Sequence, residues 1–171
     1  MDKTEQIKRK MIAYYAGDPR RIQHFLKVHS LARAIGFNEK LSEDEQQILE
    51  AAALTHDIGI KPAERLYGRN NGKLQEQFGP DAARELLGAD FDPQTVERIC
   101  FLIAHHHTYT GIADPCLQIL IEADFLVNAY EDALQPESIA AFSRKVFRTA
   151  TGKWLVQQLY PEAADAVSAK R

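Results

Sequence analysis

The chain has 171 residues, 45% of them hydrophobic and 26% charged, with a formal net charge of −3. That composition suits one compact domain around a single core. It lacks the basic excess that a general nucleic-acid binder sets against phosphate backbones. No apolar run approaches the length of a membrane span, and the polar start Met1–Lys10 does not read as a signal peptide. Cys100 and Cys116 stand in no CxxC pair and at no zinc-finger spacing, so a reducing, cytoplasmic setting is expected.

The helix signals run in order along the chain. A first helix is expected from about Thr4 to Ala16. Asp18-Pro19 reads as an N-cap with proline at the first helical position, opening a helix to about Ile35 with Gly36 as its terminating glycine. Ser42 and Glu45 form a capping box ahead of the Ala51-Ala52-Ala53 run. The stretch from about Ile60 to Phe78, rich in Gly, Asn and charge, reads as the longest loop. Gly79-Pro80 is expected to open a helix closed at Gly88. Asp92-Pro93 and Asp114-Pro115 repeat the cap-then-proline signature, and one or two helices follow Pro136. No alternating β-branched run supports a strand. The expected fold class is all-α, a single-domain helical bundle over residues 1–171.

Four helices place a His or Asp at or near a core-facing position. Between Gln118 and Glu131, Leu120, Ile121, Asp124, Val127 and Asn128 share one face at helical spacing. Asp124 therefore interrupts an apolar stripe, where a carboxylate is paired, protonated or bound to a cation. The helix opened by Pro93 carries its apolar face, Val96, Ile99, Cys100, Leu102 and Ile103, on to His106 and His107, while His105 points away. His56-Asp57 ends a small-residue apolar helix, with Gly59 just beyond. His24 shares a side with Val28, Leu31 and Ala32, whereas His29 lies on the opposite flank and reads as surface or half-buried. Imidazole and carboxylate suit a divalent transition metal, and helical bundles build such sites from inward-facing side chains.

The order of these residues, an early His, an adjacent His-Asp, a His-rich segment and a lone Asp, resembles the HD-domain superfamily of metal-dependent phosphohydrolases. The matching segments are His24-Phe25-Leu26-Lys27-Val28, Leu54-Thr55-His56-Asp57-Ile58-Gly59, His105-His106-His107 and Ala123-Asp124-Phe125-Leu126. The resemblance covers about residues 21–132 and implies a metal-site core there, with C-terminal helices over 136–171 packing on it. It implies that His24, His56, Asp57 and Asp124 hold one divalent ion, among Mn, Fe, Co, Ni, Zn and Mg. Dinuclear members of the family add further histidines, one of them from a segment preceding a glycine-rich helix start. The corresponding stretch here, Leu74 to Pro80, has none, so one ion per chain is expected. Glu76 is the residue there that could supply an oxygen donor.

The implied reaction is metal-assisted hydrolysis of a phosphate ester of a nucleotide or small phosphorylated metabolite. Asp57, or Glu76 through a water, is the candidate general base, and His106 or His107 protonates the leaving oxygen or holds the phosphate. Arg21 and Lys27, three residues either side of His24, are candidate phosphate-binding cations, with Lys61 and Lys73. The 60–78 loop is a candidate lid with hinges at Gly68 and Gly72. Two other readings stay open: a di-iron oxygenase on the same scaffold, and a non-catalytic module that binds a metal or nucleotide. The apolar C-terminal stretch around Trp154, Leu155, Leu159 and Tyr160 is expected to pack on the core rather than on a second subunit, although an oligomer is compatible.

Overall fold

The computed structural model describes residues 2–168, which form ten helices: α1 Lys3–Tyr14, α2 Pro19–Asn38, α3 Glu43–Thr55, α4 Ile60–Tyr67, α5 Gly72–Leu87, α6 Pro93–His105, α7 Pro115–Glu131, α8 Pro136–Val146, α9 Ala150–Leu159 and α10 Pro161–Ser168. Among the described residues there is no strand, and no helix is long and apolar enough to cross a membrane. The caps are the ones the sequence announces. Asp18 Oδ1 accepts from Arg21 N at 3.1 Å, Asp92 Oδ1 from Thr95 N at 3.0 Å, and Asp114 Oδ1 from Cys116 N at 2.8 Å. Ser42 and Glu45 close a reciprocal capping box. Each cap supplies an acceptor to an otherwise unpaired N–H, worth about 1 kcal/mol.

α3 and α7 form the centre. α3 buries every residue from Leu49 to Thr55, and α7 every residue from Cys116 to Asp124, so both are enclosed on all faces. The small side chains Ala51, Ala52 and Ala53 let α3 pack against α1, α2, α6 and α7 together. α2 lies along both α3 and α7, and α5 pairs with α6. The C-terminal helices cover one side: α10 packs on α8 and α9, and α9 reaches α2 and α7. Glu122, fully buried on α7, accepts from Arg148 N and Thr149 N at 2.7 and 3.1 Å and anchors the start of α9.

The structure corrects the sequence reading in several places. The expected loop over 60–78 is mostly helical, because α4 fills its first half and α5 starts at Gly72 rather than at Gly79-Pro80. Asn71 is the N-cap of α5, accepting from Leu74 N at 3.0 Å, and Pro80 sits inside the helix. Proline there removes a helical N–H, but Gly79 seats the helix tightly against Ile103 and the backbone of Gly59. Gly68, at φ 66°, is the left-handed terminus of α4, so neither it nor Gly72 is a hinge in an open loop. α2 runs past Gly36 to Asn38, because the bare Cα of buried Gly36 admits the Gln46 side chain. Three helices, not one or two, follow Pro136. Of the C-terminal apolar residues, Leu155 and Tyr160 pack on the core, while Trp154 and Leu159 are exposed. His29 is buried, its Nε2 2.9 Å from Glu50 Oε2.

Candidate metal centre

Four donor atoms converge from two helices and the turn that follows α3. His24 Nε2 on α2 lies 3.2 Å from His56 Nε2, 3.3 Å from Asp57 Oδ2 and 3.2 Å from Asp124 Oδ1. His56 Nε2, at the end of α3, lies 3.5 Å from Asp57 Oδ2 and 3.4 Å from Asp124 Oδ1 on α7. Donors about 2.0–2.2 Å from one ion, and not opposite each other across it, stand about 2.8–3.6 Å apart. The observed edges fall within that range, so the residues fit a divalent ion. His56 is fully buried and Asp124 nearly so.

The far nitrogen of each imidazole fixes which atom faces the centre. His56 Nδ1 lies 2.8 Å from the Ala53 carbonyl oxygen, and His24 Nδ1 lies 2.8 Å from Glu131 Oε2. A carbonyl or carboxylate oxygen can only accept, so both Nδ1 atoms carry the proton and both Nε2 atoms present lone pairs inward. Asn128 Nδ2 donates to Asp124 Oδ1 at 3.0 Å. At the end of α1, Tyr14 donates its hydroxyl to the Ile58 carbonyl at 3.2 Å, and Tyr15, the next residue, donates its own to the Asp57 carbonyl at 2.7 Å, clamping the turn that carries the His-Asp pair.

The electrostatics follow from this crowding. Burial works against charge on His56, yet the Asp57 and Asp124 carboxylates lift its pKa to about 9. His24 is raised too, with burial again opposing and Asp124 prevailing. Burial opposes ionisation of both aspartates, but His56 beside Asp57 and the bonds from His24 and His56 to Asp124 hold both carboxyls below the usual range. The same two carboxylates that favour positive charge on the imidazoles call for a cation between the four donors.

Of the other expected site residues, His106 is the best placed. It is fully buried, its Nδ1 lies 2.7 Å from the Ile103 carbonyl oxygen, and its Nε2 has no hydrogen-bond partner, lying 3.7 Å from Asp57 Oδ1. Asp57, His106 and His107 form a second group with donor atoms close together. Both ring nitrogens of His107 are, however, engaged: Nε2 lies 2.6 Å from Gln75 Oε1 and Nδ1 3.2 Å from the Tyr109 hydroxyl. Burial and the neighbouring His106 push the His107 pKa down to about 4.

Glu76 Oε1 accepts from His107 N and Thr108 Oγ1, both at 3.0 Å, tying α5 to the end of α6. Arg21 lines a cavity of about 350 Å³ with His24, Asp57, Asn70, Asn128 and Glu131, held there by Asp18 and Glu64 at 3.1 and 2.6 Å. Lys27 instead pairs with Glu131 Oε1 at 2.6 Å, so it reaches His24 only through that carboxylate. Lys61 is directed away from the cluster: it donates to the Tyr14 carbonyl at 2.7 Å and lines a different groove, between α1, α4 and α5. Lys73 is exposed on the first turn of α5. Sequence reasoning did not find Glu131, Tyr15, Asn70, Gln75 or Tyr109 as site residues. For Glu131 a signal exists, since it follows Asp124 by seven residues and shares its helix face.

The HD domain family model matches residues 21–138, well over half of the chain. The crystal structure of a predicted HD superfamily hydrolase from an uncultured Thermotogales bacterium superposes with a TM-score of 0.66 at 29% sequence identity, covering 96% of this chain and 89% of that one. No curated protein matches the chain. On that family match the chain belongs to the HD domain family.

Proposed function

We propose that the protein is a metal-dependent phosphohydrolase acting on a phosphate ester of a nucleotide or small metabolite, with one divalent ion held by His24, His56, Asp57 and Asp124. The observation that carries this reading is the crowding of His24 Nε2, His56 Nε2, Asp57 Oδ2 and Asp124 Oδ1, with both imidazole nitrogens 3.2–3.5 Å from each carboxylate oxygen and 3.2 Å from each other. An ion there supplies Lewis acidity toward a phosphoryl oxygen and lowers the pKa of a water. Asp57 Oδ1, outside the four-atom cluster, accepts the proton of the attacking water. His106 Nε2, 3.7 Å from it and free of hydrogen bonds, is placed to relay that proton from Asp57 to the leaving oxygen. Arg21 is the cation of the expected four that lines the cavity beside His24 and Asp57, and it is the one we assign to the phosphate.

The di-iron reading is less well supported. Because His107 Nε2 is engaged by Gln75 Oε1, a second ion would find, of the group Asp57, His106 and His107 among the described residues, two donors open, Asp57 Oδ1 and His106 Nε2.

The test is elemental analysis followed by assay of p-nitrophenyl phosphate and bis(p-nitrophenyl) phosphate with each candidate metal, for wild type, His56→Ala and Asp124→Ala. About one ion per wild-type chain, lost in both variants together with turnover, is the expected result. Wild-type protein that takes up no ion from Mn, Fe, Co, Ni or Zn refutes the centre, and an ion without phosphoester turnover refutes the hydrolase.

A further inference from the structure

Five side chains form a continuous hydrogen-bonded row from the end of α6 to the end of α4. Tyr109 Oη lies 3.2 Å from His107 Nδ1, and His107 Nε2 lies 2.6 Å from Gln75 Oε1. Gln75 Nε2 lies 3.0 Å from Asn70 Oδ1, and Asn70 Nδ2 lies 2.8 Å from Glu64 Oε1. The same Glu64 oxygen accepts from the Arg21 guanidinium at 2.6 Å. The row thus links the two flanks of the site, His107 beside His106 and Arg21 beside His24.

The direction of every bond follows from the Glu64 end. An ionised carboxylate only accepts, so Asn70 turns its NH2 toward Glu64 and its oxygen toward Gln75. Gln75 must then offer its NH2 to Asn70, which leaves its oxygen for His107. An amide oxygen only accepts, so His107 carries its proton on Nε2. His107 Nδ1 is then a bare lone pair, and the Tyr109 hydroxyl must donate to it. Gln75 is buried, so its amide has no bulk water to turn to. The first turn of α5 lies flat on the imidazole: a Cβ at Gly72 would stand 3.0–3.2 Å from three His107 side-chain atoms.

We propose that Glu64, Asn70 and Gln75 are positioning residues that fix His107 as its neutral Nε2–H tautomer and leave the Tyr109 oxygen, at the edge of the site, able only to accept. Two consequences follow. His107 is neither a metal donor nor the proton donor to a leaving group; it is a rigid wall that keeps the adjacent His106 ring, 4.0 Å away between centroids, aimed toward Asp57. And a ligand group that meets Tyr109 Oη is a hydrogen-bond donor, a hydroxyl or an amine, rather than a phosphoryl oxygen. The inference rests on the proposed hydrolase only for its bearing on turnover; the tautomer itself is independent of it.

The test is the ¹⁵N–¹H correlation pattern of the histidine rings at neutral pH, measured on zinc-loaded protein and again on ion-free protein. Wild-type His107 is expected to show a protonated Nε2 and an unprotonated Nδ1. Tyr109→Phe is expected to keep that tautomer, because Gln75 still demands the Nε2 proton, and to shift only the Nδ1 resonance. Gln75→Leu removes the demand and is expected to move His107 to a mixed or Nδ1–H pattern. A wild-type Nδ1–H tautomer overturns the proposal, as does a Tyr109→Phe variant that switches tautomer, or a folded Gln75→Leu variant that does not. Should Gln75→Leu fail to fold, wild type and Tyr109→Phe still decide it. Protein that takes up none of Mn, Fe, Co, Ni or Zn refutes the proposed hydrolase alone, since the ion-free spectrum reports the same tautomer.

Discussion

Glu131 touches none of the four inward-facing donors and still controls one of them. Its Oε2 accepts a hydrogen bond from Nδ1 of His24, while its Oε1 is held by Lys27 at 2.6 Å. Burial favours its neutral form, but Lys27 and His24 hold its pKa below the ordinary glutamate value. An ionised Glu131 makes the opposite nitrogen of His24 a better donor and stops the ring from turning. Glu131→Ala is expected to weaken ion binding about 10–100-fold, measured by chelator competition, and Glu131→Gln, which keeps an acceptor at the same place, to recover most of the loss. An affinity unchanged in Glu131→Ala would show that packing alone orients His24. The inward donors were readable from the sequence because an ionisable residue in an apolar stripe stands out at 100° per residue. The partners behind them were less so, because a polar residue at a helix rim looks the same whether it faces water or an imidazole. The same ambiguity hid Gln75, and it explains why Lys61, close in sequence to the His-Asp pair, could look like a site cation while bonding to Tyr14.

At the scale of the element, the reading succeeded where a terminus is written in side-chain chemistry and failed where it is written in space. Asp18, Ser42, Asp92 and Asp114 name their helices because each cap is a local hydrogen bond. α5 carries the opposite signal in mid-helix, Gly79-Pro80, and its continuity comes from tertiary packing that local sequence cannot express. The decisive contact is between two glycines: a Cβ on Gly59 would stand 2.6 Å from the Gln75 carbonyl oxygen and 2.7 Å from Gly79 N. Those are backbone atoms, so no side chain can swing aside. Gly59 has an ordinary φ of −70°, and space rather than conformation requires it. Gly59→Ala is expected to cost about 1–3 kcal/mol in urea unfolding, because α5 must move off the turn after α3. Since that turn carries Asp57 and α5 carries Gln75, ion affinity should fall in the same variant. Unchanged stability would mean that α5 shifts freely, and the row through Gln75 could not be rigid.

For the whole molecule, the centre exists only when the bundle is assembled. His24 and Asp124 sit on α2 and α7 and His56 on the turn that ends α3; α2 and α3 are consecutive, but α4, α5 and α6 separate α7 from them, so α7 meets both only in the folded chain. An ion that meets all four donors therefore binds the native state and finds no comparable site in the unfolded one, so its binding energy becomes folding energy. At about 100-fold excess over Kd the ion is expected to add about 2.7 kcal/mol. For a chain of this size that raises Tm by about 5–10 °C in thermal unfolding with and without metal. Asp124→Ala should abolish the increment, because it removes the one donor that α7 contributes. Lys61→Met, whose side chain bonds to Tyr14 away from the cluster, should keep it. A wild-type protein that holds one ion per chain at equilibrium and yet gains no stability from it would show that a fragment of the bundle binds the ion as well as the whole. The convergence of α2, α3 and α7 would then not be what builds the site.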